Sequence, residues 1–213
     1  MKQSNIRNLY RAIVSLTAFI LWTAMIRCID VKPIGPLYSS VGFAAFNKCI
    51  HSFTGVHMSL YHITDWLGLI PIFVAFGFAM LGLIQWIKRK SFFRVDRSIL
   101  LLGGFYLAVM ATYLFFEQYI INYRPILIEG ILEASYPSST TILVLTVMPT
   151  AILQLQDRIQ KPTCRQAAIW AIKIFIIFMV VGRLISGVHW FTDIIGGALL
   201  SNGLVQLYAF FTK

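Results

Sequence analysis

Six apolar runs, each long enough to cross a bilayer, limit this 213-residue chain to one kind of architecture. They fall at about 12–29, 66–87, 99–121, 138–155, 167–185 and 190–211. A hydrocarbon layer ~30 Å thick needs roughly 20 apolar residues per helix, and in lipid every backbone polar group must find a partner within the protein. Helices of this length satisfy both demands. Hydrophobic residues make up 58% of the chain and charged residues 12%, more oil than a soluble core requires. The expectation is an all-α, integral membrane six-transmembrane-helix bundle, folded as a single domain over residues 1–213. Pro149 falls inside the fourth run, where a helix kinks or thins.

The connecting segments set the topology. The first run follows Lys2, Arg7 and Arg11 like a signal peptide, but Ala24-Met25-Ile26 leads into Arg27-Cys28 with no small-x-small cleavage site. It reads as an uncleaved span. The outer loop at 30–65 is the longest connection. Within it, Gly42 to His51 spaces its apolar residues for one short amphipathic helix lying in the interface. Six spans leave both termini on one side. Twelve of the 18 Lys and Arg residues gather there: Lys2, Arg7 and Arg11, the five between Lys88 and Arg97, Arg158, Lys161, Arg165, and Lys213. The positive-inside rule makes that side cytoplasmic, in a multi-pass protein of the plasma (inner) membrane. The net charge of +10 is then a topology signal and an attraction to anionic lipid. No nucleic-acid partner is expected. Cys28, Cys49 and Cys164 form neither a disulfide framework nor a metal spacing and read as packing thiols.

Three polar segments then fall at one depth, at the outer ends of spans three to six. They are Glu117 to Pro125, Tyr136 to Thr140, and Arg183 to Asp193. In the last, His189 precedes Asp193 by four residues, a step that places both on one face of a helix. A carboxylate so placed holds one imidazole nitrogen as a donor and leaves the lone pair of the other free. Arg183 supplies a planar fork of donors suited to phosphate oxygens. Polar residues in a membrane bundle also serve as interhelical glue. Glue alone gives no reason for three separated segments to share one depth.

These residues resemble the type 2 phosphatidic acid phosphatase superfamily, membrane lipid phosphatases related to vanadium haloperoxidases. Its signature is Lys, six residues, Arg-Pro; then Pro-Ser-Gly-His; then Ser-Arg, five residues, His, three residues, Asp. Arg124-Pro125 matches the end of the first part, Pro137-Ser138 the start of the second, and Arg183…His189…Asp193 the third, with Gly182 in place of Ser. The resemblance covers roughly residues 60–205. It implies that His189 attacks phosphorus and forms a phosphohistidine while Asp193 orients the ring. It also implies that Arg124, Arg183 and Ser138, with Ser139 and Thr140 beside it, bind the phosphoryl oxygens. The substrate implied is a membrane lipid phosphate or diphosphate at the outer face. No metal and no cofactor are implied.

Two positions depart from the signature. Glu117 stands where the family has Lys, and Ser139-Thr140 where it has Gly-His. The missing His normally protonates the leaving oxygen, and a Thr hydroxyl is far too weak an acid for that task. Three explanations answer this. The substrate is a lipid diphosphate, such as a polyprenyl diphosphate, whose leaving group is already a stable phosphate anion with a second pKa of about 6. Another group, Glu117 or one of His51, His57 and His62, donates the proton. Or catalysis has been lost, leaving a protein that binds lipid phosphate or a partner without hydrolysis. A transporter or scaffold on six helices is a further class, but the charges cluster near the outer ends with only Lys173 deeper, which favours an interfacial site over a conduit.

Overall fold

The computed structural model describes residues 2–212, which hold eight α-helices and the segments that join them. Lys213, counted above with the inner cations, lies outside the described residues. The helices are α1 (Lys2–Cys28), α2 (Ala44–Thr54), α3 (Met58–Leu67), α4 (Leu69–Arg89), α5 (Arg97–Gln118), α6 (Ser139–Arg158), α7 (Pro162–Ile185) and α8 (Phe191–Thr212). Six stretches are long and apolar enough to span a membrane, with α3 and α4 counting as one. The chain is a multi-pass, all-helical membrane protein.

The outer loop differs from its expected form. The amphipathic helix is present as α2, with Ala44 and Asn47 buried and Phe53 exposed. A second helix, α3, occupies 58–67, where the sequence was read as loop up to residue 65. His57, His62 and Asp65 interrupt the apolar run and disguise it. Gly68 turns the chain from α3 into α4 while keeping right-handed helical angles. The three cysteines are free and exposed rather than packed. Helix α6 continues across Pro149.

Helices α6 and α8 form the centre: half of each apolar window is buried, against 11–22% for the other four spans. Small residues let the neighbours close on them. A Cβ added at Gly203 would sit 2.7 Å from Leu16 of α1, and one at Gly196 would sit 2.3 Å from the Tyr136 ring. At the end of the bundle that carries both termini, read from the charge pattern as the inner end, Asp96 caps this arrangement. Its carboxylate accepts hydrogen bonds from Gln85 (2.8 Å), Arg89 (2.9 Å) and Arg158 (3.2 Å), tying α4 and α6 to the start of α5. Those donors, Gln85 first, hold its carboxyl below the usual carboxylate range against the opposing cost of burial. Gln154 accepts from Arg158 and donates to Tyr208, whose hydroxyl donates to Ser98 O, so α8 joins the same network.

Candidate active site

At the opposite end, the N-termini of α6 and α8 and the C-terminus of α7 converge. Arg183, in the last turn of α7, is 1% exposed. Its Nη2 lies 3.2 Å from Nε2 of His189, and its Nη1 lies 3.7 Å from Oδ1 of Asp65 on α3. Arg124 is also buried and approaches Glu133 at 2.9 Å. That contact is an ion pair by distance, not an aligned hydrogen bond. Nε and Nη1 of Arg124, and Nε and Nη1 of Arg183, are buried with no hydrogen-bond partner. Both guanidinium groups sit over the ring of Tyr61, at 6.0 and 5.0 Å. Two desolvated cations held this close repel one another, and leaving four N–H nitrogens unpaired costs stability. An oxyanion placed between them answers both penalties.

His189 lies in the tight turn between α7 and α8, one residue before α8 is capped by Trp190. The expected helical i,i+4 face is therefore absent. Asp193 is instead the third residue of α8, and its Oδ2 accepts the amide of Trp190 (2.8 Å) in the manner of a capping box. The imidazole Nδ1 is 3.8 Å from Oδ2 of Asp193, beyond hydrogen-bond reach. Ser135 fills the gap: its Oγ lies 3.1 Å from Nδ1 and donates to Oδ2 of Asp193. Arginine has no acceptor, so Nε2 facing Arg183 carries the lone pair and Nδ1 carries the proton. The order is Nδ1–H to Ser135 Oγ, then Ser135 O–H to Asp193. Burial first, and then the charges of Arg124 and Arg183, hold the His189 pKa well below that of an ordinary histidine. This favours a neutral ring, with the lone pair of Nε2 turned toward Arg183.

The start of α6 completes this cradle. Ser138 is the N-cap, and its Oγ accepts from Thr141 N (3.4 Å) and Thr141 Oγ1 (3.0 Å). The first-turn amides of Ser139 and Thr140 have no intrahelical acceptor, and the positive end of the helix faces the site. Ser139 and Thr140 are half-buried and line a largely apolar cavity of about 500 Å³ between α3, α4, α5 and α6. Glu117 stands apart: it is exposed at the end of α5 and pairs with neither Arg124 nor Arg183 among the described residues. It lines a small recess of about 10 Å³ with Ser135, Tyr136 and Ser139.

The outer loop locks the turn that carries His189. Asn47 donates to Thr192 Oγ1 (3.0 Å) and accepts the Thr192 amide (3.3 Å). Nε2 of His51 bonds Gly187 O (3.0 Å), and the His57 amide donates to Ser186 O (3.0 Å). Gly187 has φ +70°, and a Cβ there would meet the Gly55 carbonyl oxygen at 2.0 Å, so only glycine fits. Gly182, where the family signature has Ser, would bring a Cβ to 2.8 Å from Thr64 Cγ2 of α3. The close seating of α3 on α7, which brings Asp65 beside Arg183, depends on that missing side chain. His51 and His57 are thus structural braces, and His62 is exposed beside Tyr61. Among the described residues, no group of three or more His, Cys, Asp or Glu side chains is placed to hold a metal ion.

Residues 111–212 match the PAP2 superfamily model. The matched segment contains α6, α7 and α8 and every residue of the three motifs, so the family model and the motifs point the same way. The whole fold is similar to the crystal structure of a transmembrane PAP2-type phosphatidylglycerolphosphate phosphatase from Bacillus subtilis. The two share 16% identity over 94% of each chain, with a TM-score of 0.64. No curated protein matches the sequence significantly. Two residues of the PAP2-like site were not read from the sequence. Ser135 precedes the Tyr-Pro-Ser segment by a single residue, and Asp65 lies outside all three motifs.

Proposed function

We propose that this protein is a membrane lipid phosphatase or phosphotransferase that acts on a lipid diphosphate through a phosphohistidine at His189. The observation that carries this reading is the set of four unpaired guanidinium nitrogens on Arg124 and Arg183 beside the lone pair of His189. In-line phosphoryl transfer spreads negative charge over equatorial oxygens, and preorganised donors in a dry site stabilise that charge. Arg124, Arg183 and the α6 amides at Ser139 and Thr140 clamp the phosphoryl oxygens. Nε2 of His189 forms the new N–P bond. Ser135 and Asp193 hold the ring and share the positive charge that develops on it.

Thr140 and the apolar cavity together favour a diphosphate. The lipid chain occupies the cavity between α4 and α5, its polar end at Ser139 and Thr140. A diphosphate departs from the reacting phosphorus as a lipid monophosphate and needs no proton, which suits a hydroxyl at the position of the family's acid. In the membrane, the site faces the outer leaflet with both termini cytoplasmic. The test is phosphate release by the purified protein in detergent. A polyprenyl diphosphate is expected to be hydrolysed faster than phosphatidic acid, with phosphate transiently bound to His189. Lipid binding without phosphate release from either would instead identify a protein that has kept the cradle and lost the chemistry.

A further inference from the structure

We infer that Asp65 is the general base that activates water to hydrolyse the phosphohistidine, a catalytic role that none of the three motifs contains. The inference rests on the reading of His189 as nucleophile.

In a double displacement the first leaving group and the second nucleophile use the same side of phosphorus. The lipid monophosphate leaves toward the apolar cavity, so water must enter from there. The base that takes its proton must then stand on the cavity side. Asp65 is the one acidic residue among those lining the cavity, which Ser139 and Thr140 also line. Thr140 occupies the position from which the family's histidine would act, and its hydroxyl is no base at neutral pH. The structure thus leaves that position without a base on α6 and places a carboxylate across from it on α3.

Arg183 fixes the relation between Asp65 and the reacting atom. Its Nη2 faces Nε2 of His189 at 3.2 Å, while its Nη1 faces Oδ1 of Asp65 at 3.7 Å. A phosphoryl group on Nε2 that rests on this guanidinium has the nucleophile at one flank and the carboxylate at the other. The Asp65–Arg183 contact is too long for a hydrogen bond, and the Asp65 side chain accepts none from any described residue. The side chain is 59% exposed, so the protein itself does not enclose its oxygens. The two other nearby carboxylates are placed differently. Glu133 is engaged by Arg124, and Glu117 lines a recess of about 10 Å³, barely the space of one water.

The step balances simply. A water oxygen bonds to phosphorus as the P–N bond breaks, and that electron pair returns to Nε2. The water proton passes to the Asp65 carboxylate and then to solvent. Inorganic phosphate leaves, and His189 is neutral again.

The experiment follows both half-reactions of the full-length protein in detergent, by rapid quench with a polyprenyl diphosphate labelled on its terminal phosphate. Asp65→Asn is expected to form phosphohistidine at a rate within a few-fold of the unaltered protein. Phosphate release should fall about 100-fold or more, so that labelled enzyme accumulates. Asp65→Glu should restore part of the release rate. A phosphoenzyme burst from Asp65→Asn also shows that the variant is folded. Equal slowing of both half-reactions would overturn the inference, because Asp65 would then act only by positioning Arg183. Unchanged rates for both would overturn it as well. The reading of His189 fails separately: in that case neither the unaltered protein nor Asp65→Asn forms labelled enzyme, and His189→Ala still releases phosphate.

Discussion

The two ends of the bundle each gather buried or half-buried charge, and they do so in opposite ways. At the inner end Asp96 collects two guanidinium groups and a glutamine amide, and the network continues through Gln154 and Tyr208 with donors and acceptors paired. At the outer end two buried guanidinium groups sit over the Tyr61 ring, with four nitrogens lacking a hydrogen-bond partner. A filled network has reached its lowest energy without a ligand and serves as a staple. A network rich in unmatched donors is complete only with an anion bound. Burial and charge alone would not separate the two ends. The hydrogen-bond accounting does.

Substitutions can break or sharpen this contrast. The largest effect is expected from His189→Ala, which should lower phosphate release roughly 10⁴-fold or more and abolish the labelled enzyme, both read in the same quench assay. Arg183→Ala should cost about 10²–10³ in kcat/KM, the usual loss when one preorganised oxyanion donor is removed. Its melting temperature should hold or rise, because an uncompensated buried charge disappears. A marked fall in melting temperature would show that the outer cluster is a staple too. Ser135→Ala should lower kcat about tenfold with little change in KM, since it loosens the nucleophile and leaves the phosphate donors in place.

The inner end should show the reverse pattern. Asp96→Ala should lower the melting temperature, by about 2–4 °C for each kcal/mol lost, while the folded protein keeps kcat/KM within a few-fold of the original. The pair is partly exposed, so solvent screening keeps this effect small. The last effect is a shift in pH dependence. His189 has a lowered pKa, so its neutral, nucleophilic form persists below the pH at which an ordinary histidine is protonated. The acid limb of kcat/KM should lie below pH 6.5, the unperturbed value. Arg124→Gln removes one of the positive charges that depress this pKa and should move the limb to higher pH. A limb that stays in place would mean that burial and Arg183 set it without Arg124.

The spans were legible because lipid imposes a length and a composition that any chain must display. The motif residues were legible because Arg124, Ser138, Arg183, His189 and Asp193 keep a fixed spacing within the second half of the chain. Other features were not, for physical reasons. Helix α3 carries Asp65 toward the site, and its polar residues His62 and Asp65 erase the apolar signal of a span. Asp65 meets Arg183 only through the packing of α3 on α7 at Gly182, a contact no local pattern encodes. The His189–Asp193 spacing suggested a shared helical face. In the fold the helix starts at Phe191, so the carboxylate caps it and Ser135 makes the link to the ring. Glu117 was expected near the arginines and lies off to one side, because α5 ends before the chain turns inward at Asn122.

The bond between Arg183 and Nε2 of His189 has a consequence for the idle protein. The guanidinium covers the Nε2 lone pair, so electrophiles from the surrounding medium meet a blunted edge. An imidazole-directed alkylating reagent should therefore mark this ring slowly in the unaltered protein and faster in Arg183→Ala.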